Sequence, residues 1–143
     1  MPKVKVVKLI EDVNLPSYQT KGSAAMDVEA AESKVIAPGS VEVVSTGLKF
    51  ELPEGYELQI RPRSGIAFKH GVSVLNSPGT LDEDYRGELK IILINHGTKD
   101  FVINKGDRIA QILLKKYEKI EWEHVTSLND SERGSGGFGS TGK

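Results

Sequence analysis

Short runs that alternate apolar and polar residues, broken repeatedly by glycine- and proline-bearing turns, limit this chain more than any other feature. Tyr56-Glu-Leu-Gln-Ile-Arg61 alternates cleanly, and Val41-Glu-Val-Val44 and Leu48-Lys-Phe-Glu-Leu52 nearly do. Val4, Val6 and Val7 open a further run among lysines, and Leu89-Lys-Ile-Ile-Leu-Ile94 reads as a buried strand. A period of two puts every second side chain on one face of an extended segment, which is the mark of a strand. The separators Ala37-Pro-Gly39, Leu52-Pro-Glu-Gly55, Ser77-Pro-Gly79, Asn95-His-Gly97 and Asn104-Lys-Gly-Asp107 carry turn chemistry. Many short strands at this spacing predict an all-β sandwich, jelly roll or barrel. Ser64 to His70 is read as one or two helical turns. Arg108 to Glu118 has both helical periodicity and β-branched residues, and the turn before it favours a strand. Pro78 argues against a regular central strand at its position.

With 143 residues the chain has the size of one domain with its own core. A net charge of −1 shows no electrostatic footprint for nucleic acid. The absence of cysteine removes disulfides and thiolate metal sites and fits a reducing compartment. His70, His96 and His124 lack metal-ligand spacing. Lys3, Lys5 and Lys8 interrupt the N-terminal apolar run, so no signal peptide is expected, and no apolar stretch approaches membrane-spanning length. A soluble cytoplasmic protein, with no membrane partner, is the expectation.

The one low-complexity stretch begins near Ser131 and runs through Arg133-Gly-Ser-Gly-Gly-Phe-Gly-Ser-Thr-Gly-Lys143. Composition alone allows a flexible tail. Glycines also let successive backbone N–H groups converge on an anion, arginine supplies a planar fork for phosphate, and phenylalanine can stack on a flat ring. Gly137 to Lys143 fits G-x-x-x-x-G-K, but a P-loop needs a preceding strand, a hydroxyl residue after the lysine and a following helix.

Four further stretches could carry chemistry. Gly79-Thr-Leu-Asp-Glu-Asp-Tyr-Arg-Gly-Glu88 places Asp82, Glu83 and Asp84 between a turn and a strand, either as a solvated charged loop or as a carboxylate base beside Tyr85. In an extended run Asp82 and Asp84 would face one way and Glu83 the other. Arg61-Pro-Arg-Ser-Gly65 closes a strand with groups suited to phosphate, or simply with surface arginines. Asp27, in Gly22-Ser-Ala-Ala-Met-Asp-Val28, reads as a turn or capping residue, and Asp107-Arg108, in Gly106-Asp-Arg-Ile-Ala-Gln111, as a loop pair.

Taken in order, these five stretches resemble the five motifs of the trimeric deoxyuridine triphosphatases (dUTPases), from near residue 20 to the C-terminus. The first motif departs from the family pattern: Ala25 fills a position usually held by glycine. The resemblance implies a jelly-roll-like distorted β-barrel with a short helix and a flexible Gly-rich C-terminal arm. Residues 1–130 would form the β domain and 131–143 a lid. It implies a homotrimer with active sites at subunit interfaces, and Mg²⁺-dependent hydrolysis of dUTP to dUMP and pyrophosphate. Such an activity limits dUTP incorporation into DNA and supplies dUMP for dTMP synthesis.

The same resemblance implies roles for single residues. Asp82 would be the general base, and Asp27 would meet the metal through a water. Arg63, Ser64, Gly65 and Gln111 would contact phosphates, and Arg133, Gly139, Ser140 and Thr141 would grip the γ end. Phe138 would cover the uracil, whose edge is read near Leu81, Lys90 and Asn76, with Gly79 and Thr80 in the same hairpin. Tyr85 would pack under the deoxyribose. Two alternatives keep the scaffold: a dCTP deaminase-like enzyme and a non-catalytic nucleotide-binding regulatory trimer. A generic β-sandwich binding module would leave the five-motif order unexplained.

Overall fold

The computed structural model describes residues 1–142. Its elements are β1 (Lys5–Lys8), β2 (Met26–Glu29), β3 (Lys34–Ile36), β4 (Val41–Glu51), β5 (Tyr56–Arg61), α1 (Ser64–His70), β6 (Val72–Val74), β7 (Gly79–Leu81), β8 (Glu88–Asn95), β9 (Phe101–Ile103) and β10 (Arg108–Lys116). They form two open four-stranded sheets, ordered β1-β4-β8-β6 and β2-β10-β5-β7, and a two-stranded ribbon of β3 and β9. Every pairing is antiparallel, and the architecture is jelly-roll-like.

Alternation in sequence becomes alternation in burial. Along β8, Leu89, Ile91, Leu93 and Asn95 point inward while Lys90, Ile92 and Ile94 lie on the outer face, so this strand is buried on one side only. The inner side chains of both sheets meet in one core: Val44, Leu48, Ile91 and Leu93 from the first, Val28, Leu58, Ile60 and Ile112 from the second. Ile36 and Ile103 extend that core beneath the ribbon. Buried Asn95 closes the polar account there by donating to the carbonyls of Ile36 and Lys99, both at 2.8 Å, because an unpaired buried amide costs free energy.

The two runs read at Val41–Val44 and Leu48–Leu52 are one strand, β4, interrupted where its register against β8 shifts between Ser45 and Lys49. Gly47 supplies the left-handed turn there at φ 70°, and the Thr46 hydroxyl donates to the Leu89 carbonyl at 2.6 Å in place of a ladder bond. Ser64–His70 is a helix, and Arg108–Lys116 is a strand that stops two residues short of the expected boundary. The Ser77-Pro-Gly79 turn passes directly into β7 at Gly79. Six strands are three or four residues long, and five of them (β2, β3, β6, β7 and β9) give no periodic signal. Residues 117–142 contain no helix or strand.

Candidate active site

The chain crosses between the sheets at the β6–β7 turn. β6 pairs with β8, and β7 pairs with β5. β6 covers one edge of β8 only as far as Ile92, whose carbonyl accepts from Leu75 N at 2.9 Å; the other edge of β8 is held by β4, with Ser45 opposite Lys90. β7 is the end strand of its own sheet. Two strand edges therefore diverge at Leu81 and Lys90 and leave a cavity of about 290 Å³ between them. Asn76, Thr80, Leu81, Asp82, Tyr85 and Lys90 line it, over apolar walls from Ile60, Val74 and Leu89. A β-carbon on Gly79 would stand 3.2 Å from Ile60 Cβ and 3.3 Å from Asn76 Nδ2, so glycine allows Asn76 to sit tightly at the mouth.

The acidic run is a turn, not an extended strand: Tyr85 N donates to the Asp82 carbonyl at 3.2 Å. Asp82 is exposed and lines the cavity, whereas Asp84 does not. Glu83 turns the other way. Its Oε2 accepts from Gly55 N at 2.6 Å and from the Tyr117 hydroxyl at 2.8 Å. The Tyr117 hydroxyl, and next the Gly55 N–H, hold the Glu83 carboxyl below its ordinary value, while the Glu83 carboxylate pushes the Tyr117 phenol up to about 12. The Tyr85 hydroxyl donates to the Glu88 carbonyl at 3.0 Å, which fixes its ring at the cavity rim.

A second cluster forms on the other side of the same sheet. Asp27 in β2 lies opposite Gln111 in β10, and Gln111 lies opposite Arg61 at the end of β5. Asp27 is buried. Its Oδ1 accepts from Gln111 Nε2 at 3.2 Å and lies 3.4 Å from Arg63 Nε; its Oδ2 meets Arg108 Nη1 at 3.3 Å. Arg63 also donates to the Arg108 carbonyl at 3.1 Å. This corrects the reading of Asp27 as a turn residue and of Asp107-Arg108 as a loop pair. Asp27 gathers two arginines and a glutamine, while Asp107 alone serves its turn, accepting from Asn104 N at 2.8 Å. Arg108 is the site residue that sequence reading missed; its only signal was its place inside the fourth motif. Ala25 is not at positive φ, since Phe138 is the only non-glycine residue there among the described residues, so its methyl group imposes no backbone strain. Ser64 and Gly65 open α1, where backbone N–H groups have no intrahelical acceptor.

The tail joins neither cluster in this chain. Residues 133–142 form consecutive turns, with Gly136 N on the Arg133 carbonyl at 3.3 Å, Ser140 N on the Gly137 carbonyl at 3.1 Å and Gly142 N on the Gly139 carbonyl at 3.0 Å. Arg133 Nε folds back onto the Gly136 carbonyl at 2.7 Å. Phe138 is fully exposed at φ 51°, a conformation that costs a side-chain-bearing residue energy. Gly137–Gly142 has no strand before it, as the P-loop reading would require, and Lys143 lies outside the described residues.

Residues 11–142 match the family described as dUTPase. The chain belongs to the dUTPase family. It is 52% identical over 141 residues to the deoxyuridine 5'-triphosphate nucleotidohydrolase of Nautilia profundicola, covering 99% of each chain. It is 55% identical over 143 residues to that of Rickettsia akari, covering 98% of this chain and 97% of the relative. Among solved structures it resembles the Staphylococcus bacteriophage 80alpha dUTPase with dUpNHpp, with a TM-score of 0.90, 27% identity and 99% coverage of both chains. As a dUTPase the chain is an enzyme that hydrolyses dUTP, and the deaminase and non-catalytic alternatives fall away. No helix among the described residues is long and apolar enough to cross a membrane.

Proposed function

We propose that this dUTPase works as a cytoplasmic homotrimer in which each active site combines the Asp82 cavity of one chain with the Asp27–Arg63–Gln111 cluster of another. One observation carries the reading. Along β5, the row holding Asp27, Gln111 and Arg61 is three residues from the Leu58–Leu81 row, roughly 10 Å at the strand rise. Across the sheet, β2 and β7 are separated by three strand spacings, roughly 14 Å. Asp82 follows Leu81 in the direction leading away from Arg61. A base and a phosphate clamp so far apart do not grip one α-phosphate within a single chain, whereas a cyclic assembly can bring facing copies together. The exposed tail supports the same reading, since Arg133 and Phe138 have no substrate-side partner in their own chain.

In the proposed mechanism Asp82 takes a proton from a water that attacks the α-phosphorus. The new P–O bond forms as the bond to the β-phosphate bridging oxygen breaks, giving dUMP and pyrophosphate. General-base assistance of this kind contributes about 10²–10⁴-fold. Positioning and charge neutralisation supply the rest, with Arg63, Ser64, Gly65 and Gln111 on the phosphates. Arg133, Gly139, Ser140 and Thr141 of the arm close over the γ end, and Phe138 lies on the uracil. Backbone groups at Leu81 and Lys90, with Asn76, read the uracil edge between the diverging strands; Gly79 and Thr80 shape that hairpin. A base with exchanged donors leaves those buried groups unpaired. Tyr85 packs against the deoxyribose where a 2′-hydroxyl would clash.

The residues present fit Mg²⁺ only in an outer shell. Both Asp27 oxygens already face cationic or amide donors, and no group of three potential ligands gathers among the described residues. Asp27 would therefore hold it through water, while the substrate phosphates supply the oxygens that a hard cation prefers. When bound, the ion neutralises triphosphate charge.

Subunit complementation tests the proposal. Asp82→Asn and Arg63→Ala should each be inactive alone, and trimers reassembled from the mixture should regain pyrophosphate release. A mixture as dead as its components would refute a site shared between chains. Assays with dUTP, dTTP, dCTP and UTP side by side check the reading of the pocket, which expects turnover of dUTP alone.

A further inference from the structure

Glu83 is the middle member of the acidic run and takes no part in the chemistry above. It is, however, the side chain through which the loop that carries Asp82 reaches the β4–β5 turn and the end of β10. The other side-chain and turn hydrogen bonds of this loop are local: Tyr85 N to the Asp82 carbonyl, the Tyr85 hydroxyl to the Glu88 carbonyl, and Arg86 Nη1 to the Glu83 carbonyl at 2.7 Å and, at 3.4 Å, to the Tyr85 carbonyl. Of the side-chain bonds of residues 82–87, those of the Glu83 carboxylate reach outside, to Gly55 and Tyr117.

Those two partners are themselves joined, since Tyr117 N donates to the Gly55 carbonyl at 3.1 Å. Glu83, Gly55 and Tyr117 thus close a three-membered hydrogen-bonded node between the β4–β5 turn, the β7–β8 loop and the end of β10. Tyr117 is the first residue past β10, where the chain leaves the sheets for its C-terminal arm. We propose that Glu83 is a positioning residue that sets the Asp82 loop and the departure of the arm together through its hydrogen bond to Tyr117. Between its two strand ends the loop is tied to its neighbours by this side chain, and small misplacements of a catalytic group cost rate steeply. The carboxylate acceptor strengthens both bonds, because ionised acceptors form the shorter and stronger hydrogen bonds. The inference rests on the proposed roles of Asp82 as base and of the arm as lid.

The test needs a readout for each end of the node. Turnover of dUTP reads the base loop. Trp122, the only tryptophan, lies on the segment leading to the lid, five residues beyond Tyr117, and is 86% exposed, so its fluorescence anisotropy reads the departure of that segment without added label. Glu83→Ala and Tyr117→Phe should each lower kcat about tenfold and lower Trp122 anisotropy. The double variant should be no worse than either single one, and Glu83→Gln, which keeps an acceptor oxygen, should recover most of both signals. Unchanged kcat in folded Tyr117→Phe would overturn the proposal, as would a fall in kcat with unchanged anisotropy or additive effects in the double variant. Asp82→Asn stands as the separate control: if it keeps turnover, the base assignment fails, whatever Glu83 does.

Discussion

Tyr85 lies directly over Gly87. A β-carbon placed on Gly87 would stand 2.6 Å from Tyr85 Cζ, closer than real β-carbons approach a neighbour, so the ring can occupy this position only above a residue without a side chain. The ring is pinned at that same end by the hydroxyl bond to the Glu88 carbonyl. Gly87→Ala should therefore push Tyr85 aside without touching substrate itself. The expected result is a loss of tenfold or more in kcat/KM for dUTP, together with a rise in UTP turnover relative to dUTP. Steady-state kinetics with both nucleotides check it.

Replacing Asp82 by asparagine keeps the shape and removes the proton acceptor. Turnover should fall by about 10²–10⁴-fold while affinity for a non-hydrolysable dUTP analogue changes little. Calorimetric titration of the variant beside its kinetics separates the two quantities.

Asp27 holds two guanidinium groups and an amide at a buried point, so Asp27→Ala leaves like charges facing one another. Because Arg63 and Arg108 retain some solvent contact, the cost is expected at about 1–2 kcal/mol rather than the larger figure for a fully buried pair. Urea denaturation measures it, and activity should fall as Arg63 loses its anchor.

Deleting residues from Arg133 onward should abolish most activity and leave the assembly unchanged, since the tail packs into no sheet. Light scattering and pyrophosphate release on the same sample test both halves.

The Glu83–Tyr117 bond also carries a pH signature. The folded state holds Glu83 below its ordinary 4.5, so the stability it contributes is present above that value and is lost as pH falls through the folded one. The Tyr117 phenol, raised from 10.0 to about 12, contributes stability below pH 10 that is lost as pH rises toward 12. Melting temperatures across pH should show both limbs flattened in Glu83→Gln, and in Tyr117→Phe the alkaline limb flattened with the acid limb reduced, since the Gly55 N–H still lowers Glu83.

What sequence determined by itself was local. Tyr56–Arg61 and Leu89–Ile94 declare their strands because a half-buried strand must alternate, and the third and fifth motifs could be matched as ordered strings to a known family. Three-residue strands such as β7 and β9 carry too few alternations to be seen, and they exist because a longer neighbour offers them a ladder. Partnership between distant residues lay wholly beyond local pattern. Asp27 meets Arg108 across 81 positions, and Glu83 meets Tyr117 across 34, through the order in which antiparallel strands were laid side by side. Adjacent charges in sequence say nothing of which way each side chain turns. The sheet register decided that Asp27 gathers the arginines, and the turn between β7 and β8 decided that Asp82 opens onto the cavity while Glu83 faces the root of the arm.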